Sequence, residues 1–406
     1  MARIPARLRT LYICYLSVED PLVHTQVVAY LAGLVERGHT IHLLTFDPKL
    51  DPERRRAHRE QLSRLGIEWH SLRYHKRPSL PATVYDTLAG AIAAAVIVRR
   101  HRLDAVHARN HVPAAMALMV RRVTRGRLIF DIRGLMAQEY VDAGRWRPGG
   151  IPYRLTNWIQ GLAIRRADGV VMLTKAVRRQ LFGNPPSRDS VVVIPCCADL
   201  DRIEALSTAR EETRRTLGLG ERPVMVYVGK LTGRYSEREM VEFFVAARRQ
   251  HPGLAFLVLT QVDPAPLLVE LERAAIPASD YVVTRAEPED VGRYLAAADF
   301  ALFFYRAGPS QVAVSPTKIG EYLGAGLPVV CSADIGDTDE VLTGRRVGAV
   351  LRDFSERSYE EASKAIRELL EDAGTGDRCR AVAHSELSLR EVGIPRYDDL
   401  YRAVAS

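Results

Sequence analysis

The sequence of 406 residues has few cysteines and lacks a long uninterrupted hydrophobic run. Its five cysteines are an odd number in a large chain, which indicates reduced thiols and a cytoplasmic location. Residues 1–9 are basic, but the apolar run at 11–16 is too short for a signal-peptide core or a membrane span. The apolar stretch at 88–98 makes about three helical turns and is expected to be a core helix. We therefore expect a protein that is soluble or contacts the inner face of a membrane peripherally.

Several binding signatures are also missing. No Gly-x-Gly-x-x-Gly follows the first predicted strand, which argues against a nicotinamide-dependent dehydrogenase. Neither an RNA-recognition consensus nor zinc-finger spacing is present, so nucleic acid is not an expected partner. The chain carries 57 Lys and Arg against 49 Asp and Glu. The resulting formal charge of +8 suits anionic small molecules or an anionic membrane surface.

What the sequence does contain is an alternation of strand and helix patterns. The composition, 47% hydrophobic and 26% charged, is that of a globular chain long enough for two domains. A predicted strand at 10–16, a helix at 21–37 and a strand at 40–46 follow the order of a parallel, doubly wound sheet. The same order starts again with a strand at 224–228. The pattern predicts an α/β fold in which ligands gather at the carboxyl ends of the strands.

Residues 315–332, SPTKIGEYLGAGLPVVCS, place charge at a predicted helix start. Ser315 and Pro316 are expected to begin the helix, with Thr317 in its first turn. Lys318 and Glu321 are three residues apart and share a face. The free amides of the helix start and Lys318 would attract a phosphate, and Glu321 could accept hydrogen bonds from sugar hydroxyls. A nucleotide-sugar site fits this arrangement, although a solvated ion pair has the same spacing.

Two segments carry a family resemblance. The run EYLGAGLPVV at 321–330 resembles the donor-binding helix of GT-B glycosyltransferases, specifically the retaining family 4 enzymes (glycosyl transferases group 1). The turn Gly229-Lys230-Leu231 resembles the Gly-Arg/Lys-Leu signal of their donor domains. The resemblance covers nearly the whole chain and implies two doubly wound Rossmann-like domains that face a cleft. It implies an acceptor-binding domain at 1–190, a nucleotide-sugar-binding domain at 191–380, and a helix at 381–406 that crosses back to the first domain.

The resemblance also assigns the donor site. It implies that Lys230 contacts the diphosphate of the leaving group, and that Lys318 or Arg234 adds a second cation. Ala313 stands where many members have a glutamate that touches the donor sugar. The expected catalytic residues are Lys230, Lys318 and Glu321. The expected donor-binding residues are Gly229, Lys230, Arg234, Thr284, Arg285, Ser315, Pro316, Thr317, Lys318 and Glu321.

The acceptor site is expected in the first domain. The segment HARN at 107–110 resembles a His-Ala-Arg-Ser/Asn segment of some family 4 enzymes, and a loop after the strand at 128–132 follows. No metal site is predicted: His107 and His111 do not share a helix face, and Asp199 and Asp201 lie at the predicted crossing between domains. The expected acceptor-binding residues are His107, Arg109, His111, Asp131, Arg133 and Glu139.

The resemblance implies transfer of a sugar from a nucleoside-diphosphate sugar to a hydroxyl, with retention at the anomeric carbon. The nucleotide sugar is a co-substrate, and no cofactor or metal is expected. The acceptor is expected to be a glycan, a lipid-linked compound or a small molecule. Two alternatives remain open at this point: a sugar-nucleotide epimerase of the same fold, and a non-catalytic partner subunit that binds a sugar nucleotide.

Overall fold

The chain forms two compact units that are joined at two crossings. The structure, a computed structural model, describes residues 7–184, 190–231 and 235–406. The first unit comprises Met1–Pro195 together with Arg390–Ser406, and the second comprises Cys196–Leu389. The chain therefore leaves the first unit after Pro195 and returns to it at Arg390.

The first unit is built on a seven-stranded sheet in which every neighbouring pair of strands is parallel. The strand order is β3-β2-β1-β4-β5-β6-β7, so the order reverses between β1 and β4. Ligands of doubly wound sheets bind at the carboxyl ends of the strands beside such a reversal. The strands are β1 Arg9–Cys14, β2 Thr40–Asp47, β3 Ile67–Arg73, β4 Ala105–Arg109, β5 Arg127–Ile132, β6 Gly169–Met172 and β7 Val191–Val193.

Helices connect these strands, and several begin at a side-chain cap. Asp51 accepts a hydrogen bond from the backbone N–H of Arg54, and Thr174 accepts one from the backbone N–H of Val177. The helices are α1 Pro21–Val23, α2 Ala29–Glu36, α3 Pro52–Arg64, α4 Ser79–Arg100, α5 His111–Thr124, α6 Met136–Asp142, α7 Ile151–Arg166 and α8 Lys175–Phe182.

The second unit is built on a six-stranded parallel sheet of order β10-β9-β8-β11-β12-β13. Its four inner strands are short apolar runs that are almost entirely buried, as expected of a parallel sheet covered by helices, whereas the two edge strands are partly exposed. The strands are β8 Val224–Val228, β9 Ala255–Leu259, β10 Tyr281–Thr284, β11 Phe300–Phe303, β12 Val329–Ser332 and β13 Gly348–Leu351. The helices are α9 Leu200–Glu204, α10 Arg210–Thr216, α11 Glu237–Ala247, α12 Ala265–Arg273, α13 Val291–Ala296, α14 Thr317–Gly324, α15 Thr338–Gly344, α16 Glu356–Glu371 and α17 Thr375–Val382.

The last helix, α18 Ile394–Ala405, packs on the first unit. Asp398 is buried there and accepts hydrogen bonds from His39 at 2.8 Å and from Arg37 at 3.1 Å. The other ring nitrogen of His39 accepts from the backbone of Leu8, so the proton that His39 donates to Asp398 is on Nε2. Arg402, one turn later on α18, contacts the same carboxylate at 2.8 Å. The carboxylate of Asp398 thus fixes α18 to the segment that leads into β2.

The structure corrects three sequence predictions of secondary structure. The helix predicted at 21–37 contains a π-helical turn, His24–Val28, between α1 and α2. The loop predicted at 133–150 contains α6. The stretch at 88–98 was expected to be a core helix. It belongs to α4, which has 22 residues and buries one face while its other face is exposed. Among the described residues, α4 is the one helix long and apolar enough to cross a membrane by length and composition alone.

Replacement of Asp398 should weaken the first unit selectively. We expect Asp398→Ala to lower the free energy of unfolding by about 2 kcal/mol, because His39 loses its buried acceptor and two arginines lose their ion pair. The matched control is Asp399→Ala, since Asp399 is exposed on the same helix. Urea unfolding followed by circular dichroism measures the difference. Equal midpoints for the two variants would contradict this role of Asp398.

Candidate functional site

The turn after β8 is shaped around glycine. Gly229 has a φ of +148°, a region that side chains rarely adopt, and its N–H donates to the carbonyl of Leu259 at 2.9 Å. A Cβ atom at Gly229 would lie 2.9 Å from Nζ of Lys318. Glycine is therefore required here both by the backbone and by the approach of Lys318. This turn follows β8, where the strand order of the second sheet reverses between β8 and β11.

Lys318 extends from α14 into a cage of aromatic rings. Its Nζ lies 4.4 Å from the ring centroid of Tyr235, 4.5 Å from that of Tyr227 and 5.5 Å from that of Phe303. Cation–π attraction of this kind stabilises an ammonium group. The side chain is nevertheless buried, and burial lowers the pKa of Lys318, whereas Tyr235 and Glu321 favour its charged form. Among the described residues, no acceptor reaches Nζ in good hydrogen-bond geometry.

The helix that carries Lys318 begins later than the sequence predicts. Helix α14 starts at Thr317, with Pro316 at the N-cap position and no side-chain cap. Ser315 does not cap it; its Oγ accepts a hydrogen bond from the backbone N–H of Cys196 at 3.0 Å. Farther along α14, the hydroxyl of Tyr322 accepts from the N–H of Val228 at 2.8 Å. The helix is thus held against the end of β8, with its uncapped amides at the same end as Lys318.

Glu321 has a partner that the sequence analysis missed. Arg202 on α9 contacts its carboxylate at 3.3 Å. Burial raises the pKa of Glu321, and the charges of Arg202 and Lys318 offset part of that rise. Asp199 precedes helix α9, and its carboxylate accepts a hydrogen bond from the N–H of Arg202 at 3.4 Å. Asp199 is therefore a helix cap, and no sequence signal links Arg202 to Glu321, which is 119 residues away.

The other predicted donor residues are spread along the carboxyl edge of the second sheet. Lys230 is exposed, and its carbonyl accepts a hydrogen bond from the hydroxyl of Tyr227. Thr284 ends β10, which is separated from β8 by β9, and the exposed Arg285 follows it. Arg234 lies outside the described residues. The structure therefore groups Gly229, Lys230, Lys318 and Glu321 around β8 and α14, whereas it places Thr284 and Arg285 two strands away.

Four of the predicted acceptor residues are buried in the first unit, and three of them, His107, His111 and Asp131, have side-chain partners there. His107 lies on β4 and shares a hydrogen bond of 2.9 Å with the hydroxyl of Tyr401 on α18. Asp131 on β5 accepts from the hydroxyl of Tyr397, also on α18, at 3.0 Å. His111 contacts the side-chain oxygen of Gln160 at 2.8 Å. These three side chains therefore have packing partners within the first unit, and their contact with an acceptor stays a prediction.

Charge is concentrated around Asp131. Burial raises the pKa of its carboxyl, but Arg133, His107 and Arg109 together outweigh burial and hold the pKa at about 2. Burial also lowers the pKa of His107. Arg109 ends β4, is buried, and has one guanidinium nitrogen, Nη1, without a hydrogen-bond acceptor among the described residues. Arg133 donates to Gln26 at 3.2 Å. Two arginines therefore stand at the carboxyl ends of adjacent strands.

Glu139, the last predicted acceptor residue, lies on α6. Its carboxylate folds over Gly134: a Cβ atom at that glycine would meet Oε1 of Glu139 at 2.1 Å. No observation tests acceptor binding, so it stays a prediction for the whole set: His107, Arg109, His111, Asp131, Arg133 and Glu139.

Two parallel, doubly wound sheets with a glycine turn and a buried lysine beside the strand reversal define a GT-B glycosyltransferase fold. The chain belongs to the corresponding family: residues 23–197 match the model described as a glycosyl transferase 4-like domain, and residues 222–372 match glycosyl transferases group 1. These matches confirm the predicted fold and the resemblance to family 4.

Among curated proteins, the chain is similar to the GDP-mannose-dependent alpha-(1-6)-phosphatidylinositol monomannoside mannosyltransferase of Mycolicibacterium smegmatis. The two are 29% identical over 194 residues, which are 45% of this chain and 50% of the relative. The chain thus spans about half the length of the curated relatives it matches. Two solved structures agree in fold at a TM-score of 0.72 and cover 98% of both chains: a glycosyltransferase from Rickettsia africae, 12% identical, and the sucrose-phosphate synthase of Thermosynechococcus elongatus, 15% identical.

The low pKa of Asp131 predicts an acid-sensitive contribution to stability. Since its folded pKa, about 2, is below the ordinary value of 3.8, the contribution is present above pH 3.8 and is lost as the pH falls towards 2. Asp131→Asn should therefore destabilise the protein by about 2 kcal/mol at pH 7, and by progressively less below about pH 4. Glu36→Gln, at an exposed carboxylate, is the control. Thermal unfolding from pH 7 to pH 3 tests this; a difference that stays constant with pH would contradict it.

Proposed function

We propose that the chain transfers a glycosyl group from a nucleoside-diphosphate sugar to an acceptor hydroxyl, with retention at the anomeric carbon and without a metal ion. The observation that carries the proposal is the burial of the Lys318 ammonium group. Lys318 lies in the first turn of α14, and its Nζ approaches the Gly229 turn that follows β8. Within residues 7–184, 190–231 and 235–406, Nζ of Lys318 meets no acceptor in good hydrogen-bond geometry. A buried cation in this situation is costly, and a diphosphate would supply an anion. The uncapped amides of α14 point to the same class of ligand.

In the proposed reaction, the bond between the anomeric carbon and the diphosphate oxygen breaks while the acceptor oxygen attacks from the same face. The acceptor proton passes to the departing diphosphate, so no side-chain base is required. Negative charge grows on the diphosphate during this step. Lys318, the exposed Lys230 and the amides of α14 would stabilise it, and the low polarity around Lys318 strengthens that effect.

Glu321 would contact the sugar. Its carboxylate is paired with Arg202, which holds it in a fixed orientation beside Lys318. The pair leaves carboxylate lone pairs available for sugar hydroxyls. We propose GDP-mannose as the first donor to test and a lipid-linked acceptor as the first acceptor class, because the mycobacterial relative is named for both.

The first unit supports peripheral contact with an anionic membrane. On α4, the apolar side chains Leu80, Val84, Leu88, Ile92 and Val96 recur every four residues and are each 52–68% exposed. Helix α5 packs against α4 and α7, and α7 adds the exposed Ile151 and Trp158.

The charges on these helices complement an anionic bilayer. The three helices carry seven arginines: two on α4, two on α5 and three on α7. Their one acidic residue, Asp86, is buried. An apolar stripe flanked by cations is the pattern of a helix that lies in a lipid interface. We propose that this face contacts anionic lipids and brings the enzyme to a lipid-linked acceptor.

Lys318→Met separates stability from activity. Methionine fills the aromatic cage without a charge, so the variant should be at least as stable as the wild type. Release of nucleoside diphosphate from the donor should fall about 100- to 1,000-fold, because the cation at the leaving group is lost. Lys364→Met, at an exposed lysine of α16, is the control. A coupled assay for nucleoside diphosphate and a melting curve measure both effects. Normal turnover by Lys318→Met would refute the proposed role of this lysine.

Membrane contact can be tested separately with Ile92→Glu. The wild type should sediment with vesicles that contain phosphatidylglycerol, and Ile92→Glu should bind about tenfold or more weakly, because a buried isoleucine contributes about 1.5–3 kcal/mol. Val269→Glu is the matched control, since Val269 is 52% exposed in the second unit. The membrane proposal is contradicted if the wild type does not sediment with anionic vesicles, or if the two variants bind the vesicles with equal affinity.

A further inference from the structure

A cluster of three histidines and one glutamate lies at the edge of the first sheet. His42 belongs to β2, Glu68 and His70 belong to the edge strand β3, and His101 follows the last residue of α4. Each side chain offers one nitrogen or oxygen atom, and these four atoms all lie within 4.8 Å of one another. None of these residues belongs to the proposed donor or acceptor sites.

The fold explains why these side chains meet. In the parallel register of β2 and β3, His42 lies opposite Glu68. Side chains alternate along a strand, so Glu68 and His70 project from the same face as His42. The ring of His101 covers this face, with its centroid 4.5 Å from that of His42 and 5.7 Å from that of His70. Three elements that are distant in the sequence therefore deliver four ligand side chains to one place.

The distances suit a small divalent cation. Nδ1 of His42 lies 3.1 Å from Nε2 of His70, and Nε2 of His42 lies 3.7 Å from the carboxylate of Glu68. The same carboxylate is 3.9 Å from Nε2 of His70 and 3.8 Å from Nε2 of His101. Ligand atoms of a tetrahedral zinc site are about 3.3 Å apart, given bonds of about 2.0 Å. One nitrogen of each imidazole and one carboxylate oxygen would have to close from within 4.8 Å to that spacing when an ion binds.

The cluster is both supported and accessible. The side chain of His42 is 5% exposed, that of His70 is 21% exposed and that of His101 is 26% exposed, whereas Glu68 is 55% exposed. Glu68 therefore lies on the solvent side, where a hydrated ion could arrive.

We propose that His42, Glu68, His70 and His101 bind one Zn²⁺ as a structural site. Three imidazoles and one carboxylate are typical zinc ligands, and four protein ligands leave no open position for a reacting water. The cluster lies near the amino-terminal ends of β2 and β3, whereas Arg109 and Asp131 lie at the carboxyl ends of β4 and β5. The ion would fasten the end of α4 to the sheet edge and would take no part in sugar transfer. This proposal departs from the expectation that the chain has no metal site.

Zinc binding can be measured directly on the whole, tag-free protein after dialysis against a chelator. Isothermal titration should give one Zn²⁺ per chain for the wild type. His70→Asn and His101→Asn should each bind at least about tenfold more weakly. Zinc should also raise the melting temperature of the wild type but not that of the two variants. Visible absorption of Co²⁺ in the same site should show the intense bands of tetrahedral coordination, and these bands should be lost in both variants.

His58→Asn is the matched control. His58 lies on α3 beside one carboxylate, that of Glu19 at 3.7 Å, and outside the cluster. This variant should bind zinc as the wild type does. The proposal is overturned if the wild type binds no stoichiometric zinc, or if His70→Asn and His101→Asn bind it as tightly as the control. Circular dichroism verifies that each variant is folded before its titration.

Discussion

The burial of one ammonium group organises the second unit. Lys318 reaches from α14 to the Gly229 turn, and three aromatic rings surround its Nζ. Burial disfavours this charge, and the rings restore only part of what water would provide. Such a group is stable in its charged form when an anion is close to it. Gly229 leaves room for Nζ of Lys318, the ring of Tyr227 faces it, and Tyr322 fixes α14 against the carboxyl end of β8.

The first unit is organised by a different set of buried charges. Asp398 joins α18 to His39 and Arg37, and Asp131 accepts from Tyr397 on the same helix. A carboxylate that is buried with cations and hydroxyl donors fixes its neighbours but is difficult to expose. The residues of β4 and β5 that the family resemblance assigns to an acceptor are therefore in part the residues that hold α18. Arg109 and Arg133 stand at the same strand ends and keep positive charge there.

Local patterns predicted the fold well. The alternation of strand and helix was visible at residues 10–46, and apolar runs such as that of β8 marked strands of a covered parallel sheet. The spacing of Lys318 and Glu321 predicted a shared helix face. Long-range contacts were not predictable in this way. The partner of Glu321 is Arg202, which is 119 residues away, and only the three-dimensional fold reveals it. Ser315 likewise bonds the backbone of Cys196 instead of capping α14, and this contact between distant residues was not predictable from local patterns.

The histidine cluster shows the same limit. Its members lie on two strands and one helix end between His42 and His101, with no spacing that resembles a metal motif, and only the register of β2 and β3 brings them together. The central interaction, however, is that of Lys318 with an anion. The most direct test is a crystal structure of the protein with a bound nucleoside diphosphate. We expect a phosphate oxygen within hydrogen-bond distance of Nζ of Lys318, next to Gly229. A diphosphate bound elsewhere, with Lys318 still enclosed by its rings, would contradict this interpretation.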